Sequence, residues 1–331
     1  MNLIITDHCN RACPYCFAQE KVRLSGHAGE ARVLSDEDFD YCVAFLKRNN
    51  VPSLKLLGGE PTTHPQFVRF VEEGLRQGLN VTVFTNGLWS ADVLEWVCAC
   101  ESGKLTFLFN VNEPNQQPDN QNERQAQSLA CAGKRGMIGF NLYQLDFDLK
   151  FVVDLIERFG LKREIRLGVA HPIAGQTNVF VPDADLPALG AHLLEQLVHL
   201  ESHDILGSLD CGFPLCMFPE DLLGKLVTCT KSGMCSDCGP ILDVGPDLNV
   251  WPCFPLSSLL NVNLRDFETL DTLKTFYEQK LSVVRGVGFL DRCIACKYRA
   301  RGQCCGGCVA RTIRNWQQNG DTSILERICE I

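Results

Sequence analysis

The chain has 331 residues, 45% of them hydrophobic and 21% charged, which is enough for one large domain and a smaller one. Its net charge of −9 disfavours a site that tracks nucleic-acid phosphates. No apolar run is long enough to span a bilayer, and the N-terminus lacks the features of a secretion signal, so we expect a cytoplasmic protein that binds neither nucleic acid nor membrane.

The first chemically informative segment is a loop that follows an apolar run at Leu3–Ile5. Its cysteines, Cys9, Cys13 and Cys16, have the spacing C-x3-C-x2-C, and no fourth cysteine follows nearby. Three thiolates can ligate three irons of a [4Fe-4S] cluster and leave the fourth iron open. Structural zinc is the alternative, but zinc sites use four ligands in C-x2-C pairs, and His8 is badly placed to be the fourth.

Beyond this loop, apolar runs alternate with amphipathic helical stretches up to residue 205, a pattern typical of βα units. Strands are predicted near 2–6, 53–57, 80–85, 105–111, 137–143 and 164–170. Helices are predicted near 36–48, 66–77, 91–99, 121–133, 147–159 and 185–200, with Ser35 and Ser90 as N-caps. Six such units fall short of the eight in a closed TIM barrel, so the sequence predicts an open, partial (β/α)6 barrel.

The second predicted strand ends in the turn Gly58-Gly59-Glu60-Pro61, where glycine allows a ligand to approach the backbone closely. This turn, together with Cys9, Cys13, Tyr15 and Cys16, resembles the radical S-adenosylmethionine (SAM) enzymes. The resemblance implies that the three cysteines hold the catalytic cluster, whose open iron chelates the methionine moiety of SAM. It further implies that the reduced cluster cleaves SAM to a 5′-deoxyadenosyl radical, which abstracts hydrogen from a substrate.

The same resemblance suggests which residues contact SAM. Tyr15 is expected beside the adenine, and the Gly58–Pro61 turn beside the methionine amine. Polar residues at the ends of other predicted strands are further candidates: Asn86, Asn110, Asn112 and Asn141. All of these positions fall at the carboxyl ends of strands, where barrels of this kind bind ligands.

The C-terminal third of the chain has a different composition. Twelve of the nineteen cysteines lie at or beyond Cys211, and regular patterning is reduced to short strands at Ile241–Val244 and Leu248–Trp251 and one helix near 267–280. Because so little apolar surface remains, we expect metal to stabilise this segment. The sequence therefore predicts a radical SAM partial barrel over 1–205 and a small Cys-rich Fe–S domain over 206–331.

The spacing of these cysteines resembles the SPASM subgroup of radical SAM enzymes, which carries two auxiliary [4Fe-4S] clusters. The resemblance implies Cys235 (or Cys229), Cys238, Cys253 and Cys308 for the first cluster, and Cys293, Cys296, Cys304 (or Cys305) and Cys329 for the second. The chain departs from the pattern in two ways. Seven residues instead of five separate Cys296 from Cys304, and Leu248 replaces an expected glycine, so that Gly245 is a candidate to supply the turn. Paired zinc knuckles are the alternative.

Several residues outside these motifs are interpreted as structural. Cys211 and Cys216 follow a strand-like run and could ligate a cluster or act as redox thiols, but packing is favoured because free cysteine is often buried. The remaining cysteines lie on predicted helices and are assigned to the core: Cys42, Cys98, Cys100 and Cys131. For His171, at a strand end, a structural role is favoured over catalysis.

The function expected from the resemblance is a radical SAM maturase of a ribosomally synthesised peptide or protein, acting by crosslinking, epimerisation or oxidation. A dehydrogenase or mutase of a small metabolite is the first alternative, and a non-catalytic Fe–S or zinc-binding protein is the second. Three [4Fe-4S] clusters, SAM and a flavodoxin- or ferredoxin-type electron donor complete the expectation. The cofactor supplies the radical chemistry, and the protein positions one C–H bond against it.

Overall fold

Parallel strands alternate with helices from residue 2 to residue 209 in the computed structural model, which describes residues 1–18, 23–24, 31–174, 176, 178–231, 238–320 and 328. The strands of this half are β1 Asn2–Ile4, β2 His8–Cys9, β3 Arg23–Leu24, β4 Ser53–Leu57, β5 Asn80–Thr85, β6 Leu105–Asn110, β7 Gly136–Leu142, β8 Glu164–Val169 and β9 Leu206–Leu209. The helices are α1 Asp36–Arg48, α2 Phe67–Arg76, α3 Ala91–Ala99, α4 Asp119–Ala132, α5 Lys150–Phe159 and α6 Leu186–Glu201.

The remaining elements are shorter. They are α7 Leu223–Thr228, β10 Asp243–Val244, β11 Asn249–Trp251, β12 Val262–Asn263, α8 Leu270–Ser282, α9 Lys297–Ala300 and α10 Val309–Gln318. The predicted helix near 267–280 corresponds to α8, whereas α10 was missed. Its amphipathic stretch follows directly on closely spaced cysteines and glycines, and no N-capping Ser, Thr, Asp or Asn precedes it.

One ten-stranded sheet has the order β12-β11-β10-β1-β4-β5-β6-β7-β8-β9. Strands β1 and β4 to β9 are parallel neighbours, with a helix between each successive pair, which confirms the predicted α/β partial barrel. The sheet ends at β12 on one side and at β9 on the other among the described residues, so the barrel is open. Strand β9 and the β10–β11 hairpin lie beyond residue 205, so the sheet runs across the domain division, which stays a prediction.

Local chemistry explains why these helices begin where they do. The hydroxyl oxygens of Ser35 and Ser90 accept from the amides of Asp38 and Val93, which confirms both predicted N-caps. Successive side chains of a strand point to opposite faces of the sheet. In β4, Leu54 and Leu56 are therefore buried in the core beneath the helices, while Lys55 faces the lumen and is exposed. The lumen is therefore open to solvent. No helix of the described residues is long and apolar enough to cross a membrane.

Candidate active site

The three-cysteine loop lies at the carboxyl end of β1. Cys9 is buried, and the amide of Cys16 donates to the carbonyl of Cys13 at 3.1 Å, which closes a turn. Burial raises the pKa of the Cys9 thiol to about 12, with smaller upward contributions from Glu60 and from the other two thiols. Burial also raises the pKa of Cys16 to about 11. Three mutually close thiols become thiolates here only when a bound metal stabilises their charge, so the site fits a metal-sulfur cluster.

The spacing of these thiols distinguishes a cluster from a single ion. No three His, Cys, Asp or Glu side chains converge closely enough to share one metal ion anywhere in the described part of the chain. In a four-iron cube each thiolate binds a different iron, so its ligands lie farther apart than those of one zinc ion. The loop is consistent with the cube.

The Gly58–Pro61 turn is held directly against the cysteine loop. The amide of Glu60 donates to the carbonyl of His8 at 2.7 Å, and that of Gly59 donates to Thr6 at 2.8 Å. A Cβ on Gly59 would lie 2.3 Å from the His8 carbonyl oxygen. Glycine is therefore required here by the backbone of the cysteine loop. The expectation that Gly59 also admits the ligand amine stays a prediction.

Glu60 has a structural function that the sequence did not indicate. One carboxylate oxygen accepts from the hydroxyls of Thr62 and Thr85, each at 2.7 Å, and the other accepts from the amide of Asn86 at 2.7 Å. Burial raises the pKa of this carboxyl, and these hydrogen bonds oppose the rise. Glu60 thus joins the ends of β4 and β5, and only its second oxygen retains capacity for a ligand ammonium.

Asn86 connects the end of β5 to the same loop. Its side-chain nitrogen donates to Asn10 Oδ1 at 2.8 Å, and its side-chain oxygen Oδ1 accepts from the backbone amide of Leu88 at 2.8 Å. The side chain of Asn10 in turn donates to the Leu88 carbonyl at 3.0 Å. Gln125 donates to the Asn86 backbone carbonyl at 2.6 Å. The predicted SAM contact at Asn86 is therefore a positioning element of the cysteine loop, with its side-chain amide already engaged.

Tyr15 lies within an aromatic and amide cluster above the barrel. Its hydroxyl donates to Asn112 at 2.5 Å, and its ring stacks on Tyr143 with centroids 4.7 Å apart. Burial raises the pKa of the Tyr15 hydroxyl, the charge of Cys13 adds to the rise, and Arg11 and Asn141 oppose it. The structure thus brings together Tyr15, predicted beside the adenine, and Asn112, a further candidate SAM contact.

Two asparagines face the lumen above small residues of the neighbouring strands. A Cβ on Gly139 would lie 3.0 Å from Asn110 Oδ1, and one on Gly168 would lie 2.9 Å from Asn141 Oδ1. Asn110 Oδ1 and the Nε of Arg11 are buried without a hydrogen-bond partner among the described residues. Arg11 Nη1 reaches the Asn110 carbonyl at 3.4 Å, so an unsatisfied donor and an unsatisfied acceptor lie near each other beside the cysteine loop. This pairing fits a polar ligand such as SAM.

Charged residues lie deeper in the lumen, and two of them form an ion pair. Arg166 donates through Nε to Asp210 at 2.9 Å, pairs with its second oxygen, and lies over the Phe84 ring at 5.7 Å. Burial raises the pKa of Asp210, whereas Arg166 and Lys55 lower it. Below the site the lumen therefore carries one ion pair and one further cation near it, Lys55.

Four cysteines from distant parts of the sequence lie close enough to affect one another's pKa where the barrel meets the C-terminal segment. Burial raises the pKa of Cys253, and the charges of Cys308, Cys238 and Cys211 raise it further. The pKa of Cys211 is likewise raised by burial, then by Cys308 and Cys238. Cys211 lies two residues beyond β9 and is near these thiols, so cluster ligation, which the sequence left open beside packing, becomes a candidate role for it. Cys235 lies outside the described residues.

A second group of cysteines lies around Cys216, for which the sequence also favours packing. Burial raises the pKa of Cys216, Arg292 lowers it, and Cys293 and Cys304 raise it. The amide of Gly306 donates to the Cys304 sulfur at 3.4 Å. Cys329 lies outside the described residues, although Ile328 beside it is part of the core.

The two substitute ligands named from the sequence, Cys229 and Cys305, are placed differently. Burial raises the pKa of Cys229. The other groups that affect this pKa are Thr228, Glu201 and Lys225, and none of them is a cysteine. Cys229 is the C-cap residue of α7, and its assignment as a substitute ligand stays a prediction. The thiol of Cys305 donates to the Gly307 carbonyl at 3.6 Å.

The structure also corrects the turn that precedes Cys253. Leu248 itself adopts the left-handed conformation, with φ of 59°, and its amide donates to the Gly245 carbonyl at 3.0 Å. Gly245 does not have a positive φ, so it does not replace the expected glycine. Buried Leu248 holds a conformation that glycine adopts with less strain.

Two cysteines assigned to the core, Cys98 and Cys131, form a disulfide between α3 and α4. Cys98 is exposed, and Cys131 is half-buried. Cys42 lies in the core as predicted.

Comparison with known proteins identifies the first part of the chain. Residues 3–125 match the Radical SAM superfamily. A GTP 3′,8-cyclase of Campylobacter fetus is 31% identical over 93 residues, which cover 28% of this chain and 28% of that protein. An S-adenosylmethionine-dependent nucleotide dehydratase of Selenomonas ruminantium is 33% identical over 88 residues, covering 26% of this chain and 29% of that protein. The match thus spans less than a third of either relative, and the chain contains a radical SAM domain.

Similarity to solved structures extends over the whole chain. SuiB of Streptococcus suis bound to its precursor peptide SuiA has a TM-score of 0.67 at 15% identity, covering 94% of this chain and 72% of SuiB. The protein anSMEcpe with bound AdoMet has a TM-score of 0.62 at 17% identity, covering 100% of this chain and 98% of that protein. At these identities the similarity establishes the fold, including that of the Cys-rich C-terminal part.

Proposed function

We propose that the chain is a radical SAM enzyme whose cluster is held by Cys9, Cys13 and Cys16. The observation that carries this proposal is the set of three mutually interacting thiols, one buried and two half-buried, at the strand ends of a radical SAM domain. When bound and reduced, such a cluster supplies the electron that cleaves SAM to a 5′-deoxyadenosyl radical. The protein residues hold this assembly in place, because Glu60 and Asn86 connect the neighbouring strand ends to the cysteine loop.

The SAM contacts follow from the groups left unsatisfied at the site. Asn110 Oδ1 and Arg11 Nε are the acceptor and donor proposed to meet the polar groups of SAM. Tyr15 and Asn112 border the adenine side, with Asn141 beside them. The Gly58–Pro61 turn stays the proposed methionine-amine site, and the free capacity of the Glu60 carboxylate suits an ammonium group.

We further propose two auxiliary [4Fe-4S] clusters in the C-terminal segment. Cluster I is assigned to Cys211, Cys238, Cys253 and Cys308, because these four thiols influence one another's pKa. Cluster II is assigned to Cys293, Cys296 and Cys304, with Cys216 or Cys329 as the fourth ligand; Cys216 is supported by its interaction with Cys293 and Cys304. Ligands drawn from distant segments would stabilise a part of the chain that has few long elements.

For the substrate, we propose a ribosomally synthesised peptide or protein. The SuiB fold accommodates a precursor peptide, and the similarity to this chain covers most of both proteins. The lumen supports the same class, because Arg166 is paired with Asp210 and Lys55 lies near the same carboxylate. A nucleoside triphosphate needs several cations that no carboxylate already neutralises. The peptide backbone, being neutral and rich in donors and acceptors, suits a polar surface on which Arg166 is already paired.

A small-molecule substrate is the second candidate, favoured by the sequence relatives. Both the GTP 3′,8-cyclase and the nucleotide dehydratase are named for nucleotide substrates, and their similarity lies in the radical SAM half. In either case a flavodoxin- or ferredoxin-type protein is the proposed electron donor. The cytoplasmic location stays a prediction.

The test is anaerobic incubation of the reconstituted protein with SAM and dithionite, followed by chromatography for 5′-deoxyadenosine. We expect its formation, and we expect peptides rich in Cys, Ser and Gly to accelerate it more than GTP or CTP does. No 5′-deoxyadenosine above the level of protein without iron would contradict the enzyme proposal. Acceleration by a nucleotide alone would select the small-molecule alternative.

A further inference from the structure

Arg311, in the first turn of α10, has the largest fully buried side chain among the described residues. Its Nε donates to Nδ1 of His171 at 3.1 Å, and its Nη2 donates to the carbonyl of Ala170 at 3.3 Å. Nη1 donates to the Val181 carbonyl at 2.9 Å and pairs with Asp183. A buried guanidinium with so many partners has a single orientation, so the atoms it contacts are fixed too.

The contact with Arg311 determines the state of His171. Because Nδ1 accepts a hydrogen bond, the ring proton resides on Nε2. Burial, and after it the charge of Arg311, lower the pKa of His171 to about 3, and the backbone of Cys211 acts in the opposite direction. Nε2 makes no hydrogen bond within the described ranges, although it is buried. It is therefore an unused donor with a fixed direction.

This donor lies against the segment that carries Cys211. A Cβ on Gly212 would be 2.2 Å from His171 Nε2, and Gly212 has a φ of +93°, so glycine is required on both counts. Cys308 is the N-cap of the helix that carries Arg311. The Arg311–His171 contact thus joins the two segments that bear Cys211 and Cys308.

We propose that His171 is a positioning residue of cluster I, whose Nε2–H group, oriented by Arg311 and Asp183, holds the backbone of the Cys211–Gly212 turn. This inference rests on the proposed auxiliary clusters. Hydrogen bonds to cluster sulfurs are among the factors that set reduction potentials, and partners of metal ligands tune the metal. His171 therefore keeps Cys211 and Cys308 in a constant arrangement and raises the reduction potential of cluster I.

The experiment uses the full chain with Cys9, Cys13 and Cys16 replaced by alanine, so that only the auxiliary clusters contribute to the EPR spectrum. Reductive titration then gives their midpoint potentials in four proteins: this parent, His171→Leu, His171→Gln and a control, His192→Gln. His192 is a suitable control because its Nε2 contacts the carbonyl of Phe147 at 2.8 Å, on the side of α6. Iron content is measured on each protein.

We expect His171→Leu to shift one of the two auxiliary signals to a lower potential and to leave the other unchanged. His171→Gln, which can accept from Arg311 and donate with its amide, should restore most of the shift. Arg311→Lys serves as a second route if His171→Leu does not fold, because it keeps the charge but loses the fixed donor to His171. It should shift the same signal.

The role of His171 would be overturned if His171→Leu kept its full iron and left both potentials unchanged. If only Arg311→Lys folds, the same result in that variant would overturn it. A shift of equal size in His192→Gln would overturn it as well. A parent protein that contains zinc and shows no auxiliary EPR signal would overturn the cluster assignment itself, and the inference with it. These outcomes separate the failure of the positioning role from the failure of the proposed clusters.

Discussion

The two cysteine-rich regions of this molecule organise their thiols in opposite ways. Cys9, Cys13 and Cys16 belong to one short loop, and their positions follow from local backbone turns and from the adjoining Gly58–Pro61 turn. The thiols of cluster I come from four segments: the end of β9, the approach to β10, the end of β11 and the start of α10. A loop site is recognisable from spacing alone, whereas the second kind of site exists only once the fold brings distant segments together.

The largest expected effect concerns the loop. Replacing Cys9, Cys13 and Cys16 by alanine should abolish 5′-deoxyadenosine formation and remove about four iron atoms, one cube, while the C-terminal clusters remain. Iron analysis and chromatography measure both. Cys42→Ala is the control, because Cys42 is buried in α1 and should keep full iron and activity. A triple variant with undiminished iron would show that the loop does not hold a cluster.

The second prediction concerns the dispersed site and compares two cysteines. Cys211→Ala should lose iron from cluster I and make residues 238–320 more sensitive to protease, since metal-binding energy is folding energy here. Cys229 is less exposed than Cys211, and no cysteine affects its pKa, so Cys229→Ala should keep the iron of cluster I. Equal iron loss in the two variants would contradict the assignment of Cys211.

A third prediction tests how tightly the loop is held. Gly59→Ala places a Cβ 2.3 Å from the His8 carbonyl oxygen, so the backbone of the cysteine loop must shift. We expect reduced iron in the loop cluster together with weaker SAM binding, measured by EPR and by equilibrium dialysis. Gly224→Ala is the matched control, because a Cβ there meets nothing within 4 Å. Because Gly224 lies in helix α7, where alanine is more favourable than glycine, Gly224→Ala should stabilise the fold by roughly 0.5–1 kcal/mol. Weaker SAM binding with an intact loop cluster would restore the simpler view that Gly59 admits the ligand.

The smallest effect is a dependence of stability on pH. Burial lowers the pKa of His64, whose Nδ1 accepts from the Gln66 amide at 2.9 Å and whose Nε2 contacts the Leu34 carbonyl at 3.1 Å. The unfolded chain then binds the proton more readily, so His64 lowers the free energy of unfolding as pH falls through the ordinary histidine range near about 6.5. Chemical denaturation at several pH values should show a shallower slope for His64→Gln. An unchanged slope would contradict this role.

The contrast between the two regions also explains what the sequence could predict. The α/β barrel, both serine caps and the position of the cysteine loop depend on local patterns, and the structure confirms their placement. For Cys211 the sequence left cluster ligation, redox chemistry and packing open, because the thiols near it lie 27 or more residues away in the chain. The role of Glu60 was missed for the same reason, since its partners Thr85 and Asn86 belong to another strand end.

Some of these misses left a signal in the sequence. Gly212 directly follows Cys211, and a glycine beside a cysteine at a strand end indicates a close backbone approach of the kind that His171 makes. The conformation of Leu248 left no such signal in the sequence, because a positive φ is rare for leucine and results only from the surrounding packing. Such positions depend on tertiary contacts that spacing does not encode.

The most direct test of this account is the metal content of the full chain after anaerobic reconstitution. Three cubes of four irons predict about twelve iron atoms per chain and no stoichiometric zinc. Iron and zinc measured together by mass spectrometry, with labile sulfide measured alongside, give the answer. About four iron atoms accompanied by zinc would show that only the loop holds a cluster and that the C-terminal cysteines bind zinc.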